Sequence, residues 1–113
     1  MLSACATPAK MRTRTPAQTH SSVADAKTVA VCIADRWENS GIAGATVPVN
    51  MRPTMSGFTV SFVNTASGQT QLLADVDETP KGSATRYFKH MVIGEAAFDA
   101  AVTACQNEKP SLK

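Results

Sequence analysis

The stretch Ser21-Ser-Val-Ala-Asp-Ala-Lys-Thr-Val-Ala-Val-Cys-Ile-Ala-Asp-Arg-Trp-Glu-Asn-Ser-Gly41 decides the fold, because it carries the clearest helical pattern in the 113 residues. Its apolar side chains recur at spacings of three and four residues, which is typical of one face of a helix. Along this face lie Ala26, Val29, Ala30, Ile33 and Trp37, with Cys32 at its border. Ser21 or Ser22 can cap the start of the helix, and Gly41 can stop it. The pattern therefore predicts a helix over the whole stretch, with one face buried in a core.

A second helix is predicted near the C-terminus, from Ile93 or Gly94 to Gln106. Its apolar face follows the same helical spacing. This face consists of Phe98, Ala101, Val102 and Cys105. Cys32 and Cys105 each lie at the core side of their helix, so helices that pack side by side could join them in a disulfide. The alternative is a pair of unbonded cysteines that serve as small apolar residues.

Between the two helices the apolar period changes to two, which indicates strands. Apolar residues alternate in three runs, namely Val47, Val49 and Met51, then Phe58, Val60 and Phe62, then Leu72, Ala74 and Val76. Residues 83–90 form a fourth strand, and Pro48 places the first strand at a sheet edge because proline cannot donate to a ladder. The sequence therefore predicts an α+β domain of order α-β-β-β-β-α. In it, a meander of three to four antiparallel strands is covered on one face by the N- and C-terminal helices.

The segment before the first helix has a different composition. Residues 6–20 contain two prolines, four threonines and three basic residues, and Met11 is their only large apolar side chain. Such a segment buries too little surface to offset the cost of ordering it, so a flexible tether is predicted. Residues 21–106 then form a single α+β domain, and the polar residues 107–113 form a disordered tail.

Composition and charge argue against two classes of protein. The net charge is +2, 18% of the residues are charged, and no run of lysine or arginine alternates with aromatic residues. We therefore expect no nucleic-acid partner. No apolar run approaches the roughly 18 residues of a membrane-spanning helix, so membrane attachment would need an added group or a partner.

The sequence contains none of the common catalytic motifs. It lacks a glycine-rich phosphate loop, a Gly-x-Ser-x-Gly elbow, a His-Glu-x-x-His pair and a Cys-x-x-Cys pair. His20 and His90 each lack a second ligand at metal-binding spacing, and we interpret both as surface residues. The expectation is a protein without enzymatic activity, cofactor or metal.

An acidic cluster of Asp75, Asp77 and Glu78 is the candidate for ligand binding. Neighbouring carboxylates can act as acid and base or can bind a cation. The alternative is structural, because carboxylates also keep a strand face soluble and pair across strands. Asp75 opposite Arg86 would be such a pair.

The side of the sheet away from the helices is the candidate for protein binding. This candidate binding face consists of Arg52, Thr59, Ser61, Val63, Leu73 and Asp75. Its mixture of polar and apolar side chains could contact a partner, and the alternative is a plain solvated sheet. The edge strand at residues 46–52 could also accept a strand from a partner or from a second copy.

The third cysteine lies in Leu2-Ser3-Ala4-Cys5, which resembles the lipobox of bacterial lipoproteins. In a lipobox, an aliphatic residue and two small residues precede the cysteine that is lipidated and becomes the mature N-terminus. The signal segment that accompanies a lipobox would lie upstream of Met1, and the alternative is a chance match. The resemblance implies lipidation of Cys5, with residues 1–20 as a lipobox remnant and tether.

More widely, the chain resembles a group of small, uncharacterised lipoproteins of the Gram-negative envelope. The resemblance rests on Val29-Ala-Val-Cys-Ile-Ala-Asp-Arg-Trp-Glu38, on Gly57-Phe-Thr-Val60 and on Ala101-Val-Thr-Ala-Cys105. A residue other than aspartate after the lipidated cysteine, here Ala6, goes with sorting to the outer membrane in such lipoproteins. The resemblance therefore implies a periplasmic location with a lipid anchor in the outer membrane, where oxidising conditions favour the disulfide.

These observations lead to two hypotheses of function. The first is a monomeric, non-catalytic envelope protein that is held on the membrane by its N-terminal lipid and acts through a structural role or through contacts with an envelope protein. The alternative is a periplasmic module that binds a small ligand or a cation through Asp75, Asp77 and Glu78.

Overall fold

The computed structural model describes residues 7–40, 48–64, 66–90 and 95–107. Several features predicted from the sequence lie outside these residues. They are the lipidation site Cys5, the helix stop Gly41, the start of the first predicted strand at Val47, the start of the last helix at Ile93 or Gly94, and the tail beyond Asn107.

Three helices and five strands make up the described chain. In chain order they are α1 (Pro8–Met11), β1 (Gln18–Ser22), α2 (Ala26–Ser40), β2 (Val49–Pro53), β3 (Gly57–Val63), β4 (Thr70–Thr79), β5 (Gly82–Lys89) and α3 (Glu95–Cys105). The strands form one antiparallel sheet in the order β1-β5-β4-β3-β2. Helices α2 and α3 share a core with one face of this sheet. The α+β class is confirmed, but the sheet has five strands where three to four were predicted.

The additional strand comes from the segment predicted to be a flexible tether. Strand β1 pairs with β5 from Gln18 opposite Tyr87 to Ser22 opposite Ser83. Gly82 makes room for this strand, because a Cβ at that position would overlap the carbonyl oxygen of Ser22. The predicted tether is therefore wrong for residues 7–20, and the folded domain begins before residue 21. Strand β1 was not predicted because its residues are polar and it is held by backbone pairing with β5.

Helix α2 begins later than the sequence suggested, at Ala26. Ser22 belongs to β1, and its hydroxyl donates to the Gln106 carbonyl oxygen at 2.7 Å. Asp25 caps the helix in its place, because its carboxylate accepts from the Thr28 amide at 3.2 Å and from the Thr28 hydroxyl at 2.7 Å. The serines that looked like caps thus complete the sheet.

The helical faces predicted to be buried are buried. All five residues of the α2 face have no solvent exposure, and neither do Phe98, Val102 and Cys105 of α3. Trp37 lies at the centre of an aromatic group, with its ring centroid 5.9 Å from that of Tyr87 and 6.4 Å from that of Phe98. Its indole N–H donates to the Phe98 carbonyl oxygen at 3.2 Å, so the buried polar atom is satisfied.

Cys32 and Cys105 meet across the interface between α2 and α3. Their Sγ atoms lie 2.09 Å apart and their Cα atoms 5.7 Å apart, which is the geometry of a disulfide. The pair closes a loop over 73 positions of sequence and so ties the two helices that cover the sheet. Among the described helices, none is both long and apolar enough to cross a membrane.

Candidate functional site

The far face of the sheet, meaning the side away from α2 and α3, carries the candidate binding residues. Thr59 lies opposite Asp75, Ser61 lies opposite Leu73, and Arg52 lies opposite Thr59 in the strand register. These residues alternate with the core residues of β3 and β4, so they share the side of the sheet that was predicted.

The far face is covered, however, and this corrects the expectation of an open surface. The N-terminal segment, residues 7–17, crosses it, and Met11 packs with Leu73 and Phe88 in a second small core. Met11 and Leu73 have no solvent exposure, and Thr59, Ser61 and Asp75 are also buried. Of the candidate binding residues, only Arg52 is exposed, while Val63 is half-buried.

Arg12, which follows Met11, forms the central polar contact under this cover. Its Nε lies 2.7 Å from Oδ2 of Asp75 and its Nη2 lies 2.9 Å from Oδ1, so the guanidinium donates two parallel hydrogen bonds. The Thr59 hydroxyl donates to the same Oδ1 at 2.7 Å. Such bidentate, charge-assisted pairs are among the stronger hydrogen bonds in proteins. We call Arg12, Thr59, Asp75, Asp77 and Arg86 the far-face ion cluster.

Arg86 completes this cluster from the neighbouring strand. It lies opposite Asp75 in the register, and its Nη2 is 3.6 Å from Oδ2 of Asp75 and 3.5 Å from Oδ2 of Asp77. The structural alternative for Asp75, a cross-strand pair with Arg86, is therefore confirmed. Sequence reasoning missed the closer partner, Arg12, because 63 positions separate it from Asp75.

The electrostatics of Asp75 follow from these contacts. Burial raises the pKa of the carboxyl group, but the hydrogen bonds from Arg12 and Thr59 and the charges of Arg12 and Arg86 outweigh burial. The pKa of Asp75 therefore lies below its ordinary value. Both oxygens of this carboxylate already accept hydrogen bonds within the fold. The arrangement suits an internal clamp, and a proton donor would need the opposite shift.

The predicted acidic cluster is divided, because Asp75 and Asp77 share the far face while Glu78 lies elsewhere. Asp77 faces the far side and accepts from the Ser56 hydroxyl at 2.7 Å. Glu78 instead accepts from the Ala26 amide at 3.1 Å, at the start of α2. Within the described residues, no three histidine, cysteine, aspartate or glutamate side chains form a group that could hold a metal ion. In the described structure, Asp75, Asp77 and Glu78 therefore do not face one common site.

The depressions beside the far-face ion cluster are small, and a larger one lies on α2. Two depressions adjoin the far-face ion cluster, with volumes of about 240 Å³ and about 200 Å³. Both are below the roughly 300 Å³ at which small-molecule pockets begin. A larger depression, of about 570 Å³, is lined by described residues of α2 and its cap, between Asp25 and Arg36.

Comparison with family models, with curated proteins and with solved structures finds no match to this chain.

Proposed function

We propose that the chain is a lipid-anchored protein of the periplasmic side of the outer membrane, without catalytic activity, that acts through contacts with an envelope protein or through a structural role. One observation carries this proposal. Of three cysteines, Cys32 and Cys105 are placed as a disulfide pair, and the remaining one, Cys5, lies in the lipobox-like motif. Disulfides persist in oxidising compartments such as the periplasm, and the motif supplies a route to that compartment.

The ordered N-terminal segment changes the geometry expected of such an anchor. Thr7 caps α1 by accepting a hydrogen bond from the Lys10 amide at 3.2 Å, so ordered structure reaches to within two residues of Cys5. Two residues can span at most about 7 Å. A lipid on Cys5 would therefore hold the domain directly against the bilayer, in contrast to the long tether predicted from composition.

A contact surface for a protein partner is available at the sheet edge. Strand β2 is an edge strand, and among the described residues no further strand pairs with its outer side. Unpaired backbone groups at an edge can accept a strand from another chain. Pro53 ends β2 and limits the length of such pairing, because it has no backbone N–H to donate.

Expression from the native reading frame, with its upstream DNA, in a Gram-negative host tests the anchor. We expect the wild-type protein in the outer-membrane fraction, with a mass increased by acyl groups, because Cys5 would be modified after export. The Cys5→Ser variant should lose both the acyl mass and the membrane association. Wild-type protein in the cytoplasm, or equal fractionation of the two proteins, would contradict the proposal.

A further inference from the structure

Charge is divided unevenly between the two sides of the domain. The N-terminal segment and the far face carry five basic residues against two carboxylates, a net charge of +3 by count. These are Lys10, Arg12, Arg14, Arg52 and Arg86 against Asp75 and Asp77. The helical layer, α2 with its cap and α3, carries two basic residues against five acidic ones, a net charge of −3. Although the net charge of the whole chain is only +2, the domain has a basic side and an acidic side.

Three of the cations on the basic side are available to a partner. Arg12 and Arg86 are engaged by carboxylates in the far-face ion cluster. Lys10, Arg14 and Arg52 are exposed, and no carboxylate of the described chain forms an ion pair with them. Their charges are thus free to meet an anionic surface.

An exposed apolar side chain follows Arg52 closely in the chain. Met55 is fully exposed in the turn that joins β2 to β3, three positions after Arg52. Pro8 of α1 and the residues 52–54 at the base of this turn line one small depression. Pro8 and the exposed cation Arg52 therefore lie close together, at the base of the turn that carries Met55. Basic residues that lie beside an apolar side chain are the combination that interfacial membrane-binding segments use.

We propose that this basic side binds the surface of an anionic phospholipid bilayer. Lys10, Arg14 and Arg52 contact lipid phosphates, and the Met55 side chain enters the headgroup region. The orientation rests on the proposed anchor at Cys5, which would bring this side to the bilayer, while α2 and α3 would face away from it. Each basic residue near an anionic surface contributes about a five-fold gain in binding.

Vesicle binding of the purified, oxidised, non-acylated full chain tests this surface. We expect sedimentation with vesicles of equal parts phosphatidylglycerol and phosphatidylcholine, and none with phosphatidylcholine alone. The double variant Lys10→Gln with Arg52→Gln should lower the partition coefficient by about 30-fold. The matched control, Lys27→Gln with Arg36→Gln on exposed positions of α2, removes the same charges and should leave binding within about two-fold.

The position of the turn is tested by Met55→Trp, with the buried Trp37 signal of the wild type subtracted. Its fluorescence should shift to shorter wavelength on anionic vesicles, whereas a tryptophan placed by Val31→Trp on α2 should not shift. The inference would be overturned if both double variants lost vesicle binding equally, or if binding did not depend on phosphatidylglycerol. An unchanged fluorescence spectrum of the tryptophan at position 55 would also overturn it. Since acylation plays no part in these measurements, their failure is distinct from failure of the proposed anchor.

Discussion

Replacing Cys32 and Cys105 together by alanine is expected to lower the free energy of unfolding by about 4 kcal/mol. The disulfide closes a loop over 73 positions of sequence, and such a cross-link removes much of the conformational freedom of the unfolded chain. A loss of this size is a large part of the total stability of a small domain. Denaturant unfolding of the oxidised wild type and of the double variant measures it.

Two controls accompany this measurement. Cys5→Ser removes the cysteine outside the pair and should leave the unfolding midpoint unchanged. A count of free thiols in the denatured, non-reduced wild type should give one, the thiol of Cys5. Three titratable thiols, or a wild type whose midpoint does not move on reduction, would contradict the bridge.

Replacing Arg12 by alanine is expected to lower the free energy of unfolding by about 2 kcal/mol near neutral pH. The Asp75 side chain is only 6% exposed, and without Arg12 it would retain the Thr59 hydroxyl and the more distant Arg86. Breaking a fully buried ion pair costs roughly 3–5 kcal/mol. The smaller figure is expected here because the Arg12 side chain is 38% exposed and solvent screens its charge.

The effect of Arg12→Ala should depend on pH in a defined direction. In the wild type the pKa of Asp75 is lowered, so its ionised form stabilises the fold above the unfolded-state pKa of about 4. This contribution is lost as the pH falls through the folded-state pKa. In the variant, burial acts with less opposition, so Asp75 takes up a proton at higher pH than in the wild type. The stability difference should therefore be largest near neutral pH and shrink toward about pH 3.

Arg14→Ala provides the matched control for this prediction. Arg14 is exposed in the same N-terminal segment and forms no ion pair with the described carboxylates. Its replacement should change the free energy of unfolding by less than about 0.5 kcal/mol. Equal effects of Arg12→Ala and Arg14→Ala, or an Arg12→Ala effect that does not vary with pH, would show that the ion cluster does not clamp the segment.

The helices and strands that could be predicted from the sequence are those whose buried residues recur at a regular apolar spacing. The faces of α2 and α3 repeat every three to four residues, so Trp37 and Cys105 could be assigned to the core. The alternation in β3 likewise predicted which of its side chains face the helices. In these elements, the residues that the apolar spacing predicts to be buried are buried in the core of the structure or pack against it.

The N-terminal segment could not be predicted in this way, because polar contacts with distant residues hold it. Strand β1 has no apolar alternation, and Gln18 accepts from the Thr103 hydroxyl at 3.0 Å while Ser22 donates to Gln106. A single apolar residue, Met11, and the neighbouring Arg12 attach the segment to the far face. An isolated Met-Arg pair among prolines and threonines gives no periodic signal, so its partners on β4 appear only in three dimensions.

The candidate binding face shows the same limit. The strand pattern correctly placed Thr59, Leu73 and Asp75 on one side, but periodicity does not reveal what covers that side. Once residues 7–17 lie on it, Leu73 becomes core and Asp75 becomes part of an internal clamp. The cations that stay exposed, Lys10, Arg14 and Arg52, belong to the surface that we propose to bind the membrane.

Hydrogen exchange of the backbone amides tests most directly whether the N-terminal segment belongs to the fold. The Ala17 amide donates to the Tyr87 carbonyl oxygen at 2.7 Å, and β1 continues the pairing along β5 to Ser22. We expect the Ala17 amide and the β1 amides bonded to β5 to be protected well above the rates of an unstructured chain. Exchange of these amides at unstructured rates, while β3 and β4 remain protected, would contradict the account and restore a flexible tether.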